Sequence, residues 1–310
     1  MSFSSDMKTE LSLLPIKDMC CACAELSAIV SFSGRLRKKN NEDVFVIITE
    51  NAKVAKRIYD LIKFVFDINS KVGINRNKSV TYSVSVRGDE DILKILKTLD
   101  LIPESSTIDK ILGISLNPEL LDKKCCKKAF VRGAFIAAGA MINPEKNYHL
   151  EFVTHRCRLH RQFIKLFADF GLQPKTVVRK SNYVIYFKNS EDIGDVLAIT
   201  GASGAVMQYQ NTRIFKDIRN TVNRQKNCDM ANLEKTLSAA NKQIAAIQKL
   251  MRKGLYDKLP EQLRQIAELR LENSELGLAE LGSMLNPPIG KSGVNHRLRK
   301  IVEIADKYSD

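Results

Sequence analysis

The chain has 310 residues, a length that allows two or three domains, each with its own core. Its 49 Lys and Arg residues exceed its 35 Asp and Glu residues, and the net charge of +14 favours a polyanionic partner, nucleic acid first. The sequence has no apolar run of about 18 residues and no secretory signal at its start. We therefore expect a cytoplasmic protein that does not contact a membrane.

An internal repeat with an offset of roughly a hundred residues organises the first two thirds of the chain. Two pairs of adjacent cysteines and two apolar helical runs that end in glycine mark the copies: Cys20-Cys21 with Cys125-Cys126, and 25–34 with 130–139.

Each copy continues with the same predicted order of strand, helix, strand and helix, because period-two and period-3.6 apolar patterns alternate along it. The strands are predicted at 44–49 and 80–86, then 149–153 and 183–187; the helices at 52–66 and 159–170, and from the Glu-Asp-Ile triplets at 90 and 191. The predicted class is α+β, with two tandem units that pack as a pseudo-twofold pair because each alone leaves a sheet face uncovered.

The C-terminal third carries helical patterns only. We assign the first repeat to 1–100, the second repeat to 101–210 and a helical domain to 211–310. The segment 201–211 is small and polar, which is typical of a hinge.

Residues 276–308 predict a helix-turn-helix, preceded by a helix at 261–272. A short helix capped by Gly277 is stopped by two prolines, and a second helix begins near Ser292. The residues expected to shape this motif are Leu278, Leu281, Leu285, Pro287, Pro288, Ile289, Gly290, Gly293, Val294, Leu298 and Ile301.

The polar side of the second helix suits DNA, since 286–300 contains four Lys and Arg and no acid. Arg297 and Asn295 are the candidates for base contacts, because arginine pairs with guanine and asparagine with adenine through two hydrogen bonds each. The full set of expected DNA-binding residues is Lys291, Ser292, Asn295, His296, Arg297, Arg299 and Lys300, of which Lys291, Arg299 and Lys300 suit phosphates. The alternative is a helical hairpin whose charges only face water.

Several motifs together resemble the WhiA family of sporulation and cell-division regulators over nearly the whole chain. They are CCxxAELSA at 20–28, RGAF at 132–135, NR at 223–224, NCDxAN at 227–232 and PPIGKSGVNHR at 287–297. The resemblance implies a fold like the LAGLIDADG homing endonucleases, followed by a helix-turn-helix similar to the one with which sigma factors read promoters. It also implies a role in cell division, chromosome segregation or sporulation.

The same resemblance raises the possibility of a nuclease, because homing endonucleases hold divalent metal with one acid at the end of each LAGLIDADG helix. If Gly34 and Gly139 end these helices, the acid positions are Ser33 and Ala138, and neither can supply a carboxylate. Glu25 precedes Ser33 by about two turns, on the order of 12 Å, and we expect it to stabilise a helix N-terminus. We predict no catalytic residue.

The seven cysteines and four histidines predict neither a metal site nor a cofactor. The adjacent cysteine pairs differ from the C-x-x-C spacing of zinc sites, so we expect reduced thiols without metal or disulfides.

The function predicted from the sequence is transcriptional or nucleoid-associated regulation through double-stranded DNA, without enzymatic activity. Other regulators or RNA polymerase are the candidate protein partners. Two alternatives remain open, a divergent metal-dependent DNA endonuclease and an interaction module that recruits protein.

Overall fold

A computed structural model describes residues 2–39, 42–76, 79–103, 105 and 118–308. The chain divides into two compact units, residues 1–216 and 217–310. In the described parts, no helix is both long enough and apolar enough to cross a membrane.

The first unit contains both repeats. The first repeat comprises α1 Phe3–Ser12, α2 Met19–Ser33, β1 Arg35–Lys39, β2 Glu42–Thr49, α3 Ala52–Phe66, β3 Lys71–Asn75, β4 Thr81–Arg87 and α4 Asp89–Thr98. The second comprises a 3₁₀ turn Pro118–Leu121, α5 Lys124–Ala138, β5 Gly139–Met141, β6 Leu150–Thr154, α6 Cys157–Ala168, β7 Lys175–Arg179, β8 Asn182–Phe187 and α7 Ser190–Thr200.

The two repeats have the same sheet topology. Each forms a four-stranded antiparallel sheet, with the orders β1-β2-β4-β3 and β5-β6-β8-β7. In the first sheet Ile47 lies opposite Val84, and in the second Phe152 lies opposite Ile185; all four side chains are buried. The predicted α+β class with tandem repeats is confirmed.

The central strands and amphipathic helices follow the sequence prediction closely, and α3 has the predicted bounds. The prediction missed α1 and the outer strands. Strands β1, β3 and β7 are exposed at every residue and lack the apolar alternation that marks a half-buried strand.

The segment 201–211 is not the hinge that its composition predicted. Helix α8, Ser203–Arg252, begins within it and continues through the rest of it. The Glu10 carboxylate accepts hydrogen bonds from the backbone N–H groups of Gly204 (2.7 Å) and Ala205 (3.0 Å). A negative charge from α1 therefore caps this helix start, a long-range contact that composition does not reveal.

The second unit is helical. After α8 come a 3₁₀ turn Tyr256–Lys258, α9 Glu261–Glu272, α10 Leu278–Ser283 and α11 Lys291–Asp306. They bury a separate core that includes Ile247, Leu250, Leu263, Ile266, Leu281, Val294, Leu298 and Ile301.

Candidate functional site

The turn between α10 and α11 depends on a glycine that sequence reasoning missed. The Ile289 N–H donates to the Gly282 carbonyl at 3.0 Å, and a Cβ added to Gly282 would lie 2.2 Å from the Ile289 carbonyl oxygen. At the start of α10, the Gly277 N–H donates to Glu280 Oε2 at 2.8 Å, as expected for a helix N-cap. The backbone of the turn thus packs directly on α10.

The remaining residues assigned to the shape of the motif fall into three groups. Leu281, Leu285, Val294, Leu298 and Ile301 are buried, while Leu278 and Ile289 are half-buried against the same core. Gly290 is the N-cap of α11, and a Cβ on Gly293 would meet Ile289 at 3.3 Å. Pro287 and Pro288 lie exposed between the helices.

The polar residues of α11 do not all point the same way. Ser292, His296 and Arg299 lie opposite the buried stripe and are exposed, as are Lys291, Asn295 and Lys300. Asn295 and Arg297 lie on opposite flanks, since two residues along an α-helix correspond to a rotation of about 200°. The structure thus separates the two candidates for base contacts and puts Ser292 and His296 at the centre of the outward face.

Acidic and polar neighbours limit this face on two sides. Arg299 Nε lies 3.0 Å from Glu303 Oε1, one turn further along the same exposed helix face. Lys291 and Asn295 line a cleft with a volume of about 380 Å³, whose other wall includes Gln243 of α8. The part of α11 that is exposed, basic and free of acid is therefore its N-terminal half.

Arg270 positions α10 from inside the second unit. Its side chain is buried, and its Nη1 donates to the Leu276 carbonyl at 2.7 Å in the turn before α10. Burial lowers the pKa of the Arg270 guanidinium. Sequence analysis gave Arg270 no role, because arginine in an amphipathic helix ordinarily faces solvent.

Helices α2 and α5 of the first unit make a very close backbone contact. A Cβ added to Gly133 would lie 2.2 Å from the Glu25 carbonyl oxygen and 3.0 Å from the Ala28 Cβ. Small residues at this contact let the two helices approach, as the repeat symmetry requires.

Glu25 does not have the helix N-terminal role expected from the sequence. Helix α2 begins at Met19, so Glu25 lies in its second turn, buried. Its Oε1 and Oε2 accept from Arg57 Nε at 2.8 Å and Nη2 at 2.9 Å, and its Oε2 also lies 3.1 Å from Arg132 Nη1. This carboxylate is fully engaged between the repeats.

Helices α2 and α5 end at Ser33 and Ala138, as the glycines at 34 and 139 predicted. The Ser33 hydroxyl donates to the Ile29 carbonyl at 2.8 Å. Beside it, the Arg156 guanidinium of the second repeat donates to the carbonyls of Ser31 and Gly34. A positive charge from the second repeat thus lies beside the end of α2.

Glu151, on β6, lies opposite Ala140, the second residue after the end of α5. Its Oε2 lies 2.9 Å from His149 Nε2 and 3.5 Å from Arg179 Nη1. This acid is therefore also paired.

The histidines are dispersed. His155 precedes α6 and hydrogen-bonds Asn182, and His296 is exposed on α11. His160 stacks on Tyr183 with ring centroids 5.1 Å apart, and its Nε2 has no hydrogen-bond partner among the described residues. Burial, with a smaller contribution from Arg161, lowers the pKa of His160.

The two cysteine pairs, about a hundred residues apart in the sequence, lie together in the structure. The Sγ atoms of Cys20, Cys21, Cys125 and Cys126 all lie within 4.8 Å of one another. Burial and the neighbouring Cys125 thiol raise the pKa of Cys21 to about 12, while the hydrogen bond from Cys21 lowers the pKa of Cys125. The sequence argument against a metal site considered each pair alone, whereas packing of α2 on α5 makes one group of four thiols.

Two LAGLIDADG-like repeats, each with a four-stranded antiparallel sheet, followed by a helix-turn-helix unit, define the class of this protein. Family models match in three consecutive segments: the WhiA N-terminal LAGLIDADG-like domain at 19–102, the WhiA LAGLIDADG-like domain at 127–219 and the WhiA C-terminal HTH domain at 222–305. The chain belongs to the WhiA family.

Full-length relatives agree. The chain is 41% identical to the probable cell division protein WhiA of Alkaliphilus metalliredigens, covering 99% of this chain and 98% of that one. It is 42% identical to the protein of the same name from Caldicellulosiruptor saccharolyticus, covering 99% and 95%. The crystal structure of full-length WhiA from Thermotoga maritima covers 100% of both chains with a TM-score of 0.59 and 23% identity, which supports the fold.

Proposed function

We propose that this protein is a DNA-binding regulator of cell division that associates with the nucleoid and binds duplex DNA through α11 without cleaving it. The observation that carries the proposal is the exposed polar surface of α11: Lys291, Ser292 and His296 are exposed in its N-terminal half, Lys300 follows, and the first acid of the helix is Glu303. A helix with these properties, placed after a short helix and a turn, matches the way such motifs enter the major groove with their N-terminal residues.

The positions on the helix suggest separate roles. Ser292 and His296, at the centre of the outward face, are placed to contact base edges. Asn295 and Arg297, on the two flanks, are placed to contact the groove edges or the adjoining bases. Lys291, Arg299 and Lys300 contribute to affinity through phosphates, which fix the position of the helix without reading sequence.

Three observations support binding without cleavage. Ser33 and Ala138 offer no carboxylate at the helix ends. Arg156 donates to the carbonyls on both sides of Ser33, so a divalent cation at that helix end would be repelled. Glu25 is held by two arginines. A hard cation such as Mg²⁺ needs oxygen ligands, and these are missing or occupied.

The test is fluorescence-anisotropy binding of duplex DNA over a range of salt concentrations by the full chain. Arg297→Ala and His296→Ala should each weaken binding, and wild-type affinity should fall steeply with salt. Lys307→Ala is the matched control, because it removes the same charge from an exposed residue about 15 Å further along the helix axis.

Plasmid DNA incubated in parallel with Mg²⁺ or Mn²⁺ should stay intact. Equal affinities of the wild type and both α11 variants would show that a surface other than α11 binds the DNA. Nicked plasmid that persists after repurification would contradict the proposed lack of cleavage.

A further inference from the structure

We propose that Cys20, Cys21, Cys125 and Cys126 form a four-thiolate site for one soft divalent metal ion, with Zn²⁺ as the best fit. This site is independent of the DNA-binding function proposed above. It joins the N-terminal turns of α2 and α5, one from each repeat.

The distances suit a single ion. A zinc ion bound by four sulfurs at about 2.3 Å has sulfur–sulfur edges of about 3.8 Å. The four Sγ atoms lie within 4.8 Å of one another, and Cys125 Sγ and Cys126 Sγ are 4.0 Å apart. No pair of sulfurs therefore needs to close by more than about 1 Å when the metal binds, which side-chain rotation can provide. An iron–sulfur cluster places its own iron and sulfide atoms between the cysteines, so it requires ligands further apart.

The ligand set selects the kind of metal. Four thiolates are soft ligands that favour Zn²⁺ and disfavour Mg²⁺ or Ca²⁺, which require oxygen. Many zinc sites take two ligands from one C-x-x-C segment, whereas here each repeat supplies two adjacent cysteines. The resulting set of four cysteine ligands is nevertheless one that structural zinc sites use.

Burial disfavours thiolates at this contact, and the two helix starts oppose that effect by favouring the negative charge that such a site develops. Cys20 and Cys21 are the second and third residues of α2, and Cys125 and Cys126 are the second and third residues of α5. Backbone N–H groups in the first turn of a helix, with the positive end of the helix dipole, stabilise thiolates. Lys123 and Lys124 directly precede the second pair and add positive charge.

A metal ion can reach the four cysteines from solvent and bind without a redox step. Cys20 and Cys125 are exposed and Cys126 is buried, so an ion can enter from solvent and be held on its inner side by protein. Binding converts four thiols and one divalent ion into a tetrathiolate complex of charge −2, and the four thiol protons pass to solvent. No electron is transferred. The metal then cross-links the two repeats.

The experiment is a Co²⁺ titration of the full-length chain, reduced and freed of metal, under anaerobic conditions. One Co²⁺ per chain should bind with the intense visible bands of a tetrahedral site and the near-ultraviolet bands of cobalt–thiolate bonds. One equivalent of Zn²⁺ should remove these bands. Cys125→Ser should weaken binding by more than the about 10–100-fold that loss of an outer-shell partner costs.

Cys228→Ser is the control, because Cys228 is an exposed cysteine outside the cluster and its loss should leave stoichiometry and bands unchanged. Circular dichroism checks that each variant is folded, and Cys20→Ser, at the other exposed ligand, replaces Cys125→Ser if that variant unfolds. Absence of stoichiometric binding by the reduced wild type would overturn the proposal. Bands of an oxygen-bound octahedral ion, or equal binding by a folded ligand variant, would overturn it as well.

Discussion

Arg132 of the second repeat and Glu25 of the first form an ion pair, with Nη1 and Oε2 3.1 Å apart. The same carboxylate binds Arg57 of α3, whose guanidinium also donates to the Leu14 carbonyl. Arg132 Nε donates in addition to the Thr200 carbonyl at the end of α7, at 2.9 Å. One buried acid therefore connects both repeats. Its negative charge is tolerated where α2 packs on α5 because two arginines neutralise it.

The first prediction concerns this pair. Glu25→Gln should lower the free energy of unfolding by about 3–5 kcal/mol, because it leaves the buried Arg57 guanidinium without a countercharge. Urea denaturation followed by circular dichroism measures the change. The control is Glu191→Gln, since Glu191 is exposed and pairs with Arg213 near the surface, where an ion pair contributes about 0–1 kcal/mol. Equal effects of the two substitutions would contradict the central role of Glu25.

The second prediction concerns the contact of α2 and α5. Gly133→Ala should destabilise the protein by about 1–3 kcal/mol, because its Cβ meets backbone at 2.2 Å and the helices must separate. Gly194→Ala is the matched control within α7, where the nearest atom is the end of the flexible Gln210 side chain at 3.1 Å. There the intrinsic preference of alanine for a helix should leave stability unchanged or raise it. Thermal melts of the two variants would refute the prediction if they showed no difference.

The third prediction concerns the acid on α11. Glu303→Gln should raise affinity for duplex DNA by about two- to fivefold at low salt, because it removes a charge that repels phosphates and releases Arg299. Affinity should also depend more steeply on salt. Anisotropy titrations give both quantities. The control, Glu272→Gln, removes an exposed charge at the end of α9 and should change neither the affinity nor its salt dependence. A similar gain in affinity for this control would show that net charge alone causes the effect.

The fourth prediction concerns His160. Because burial lowers its pKa in the folded state, the unfolded chain binds the proton more readily, and stability falls as the pH drops from above about 6.5, the unperturbed histidine value. His160→Phe keeps the stacking on Tyr183 and removes the titration. The difference in unfolding free energy between wild type and variant should therefore change between pH 7.5 and 5.5, to the disadvantage of the wild type. A pH-independent difference would contradict this.

Local sequence patterns were enough to predict the elements whose burial follows a regular period. Helices α3 and α9 and the central strands were predicted because their apolar residues repeat every 3.6 or every two positions. The repeat and the family motifs gave the α+β class and the helix-turn-helix, and the glycines after Ser33 and Ala138 located the ends of α2 and α5.

Features that depend on contacts between distant residues could not be predicted from local patterns. The exposed outer strands form because a neighbouring strand offers hydrogen bonds, which no side-chain period records. The start of α8 depends on Glu10, nearly 200 residues earlier. Glu25 gained its partners, and Cys20 and Cys21 met Cys125 and Cys126, when α2 packed on α5. Local periodicity determines which face of a helix or strand is buried. The residues that this buried face contacts depend on the packing of the whole chain.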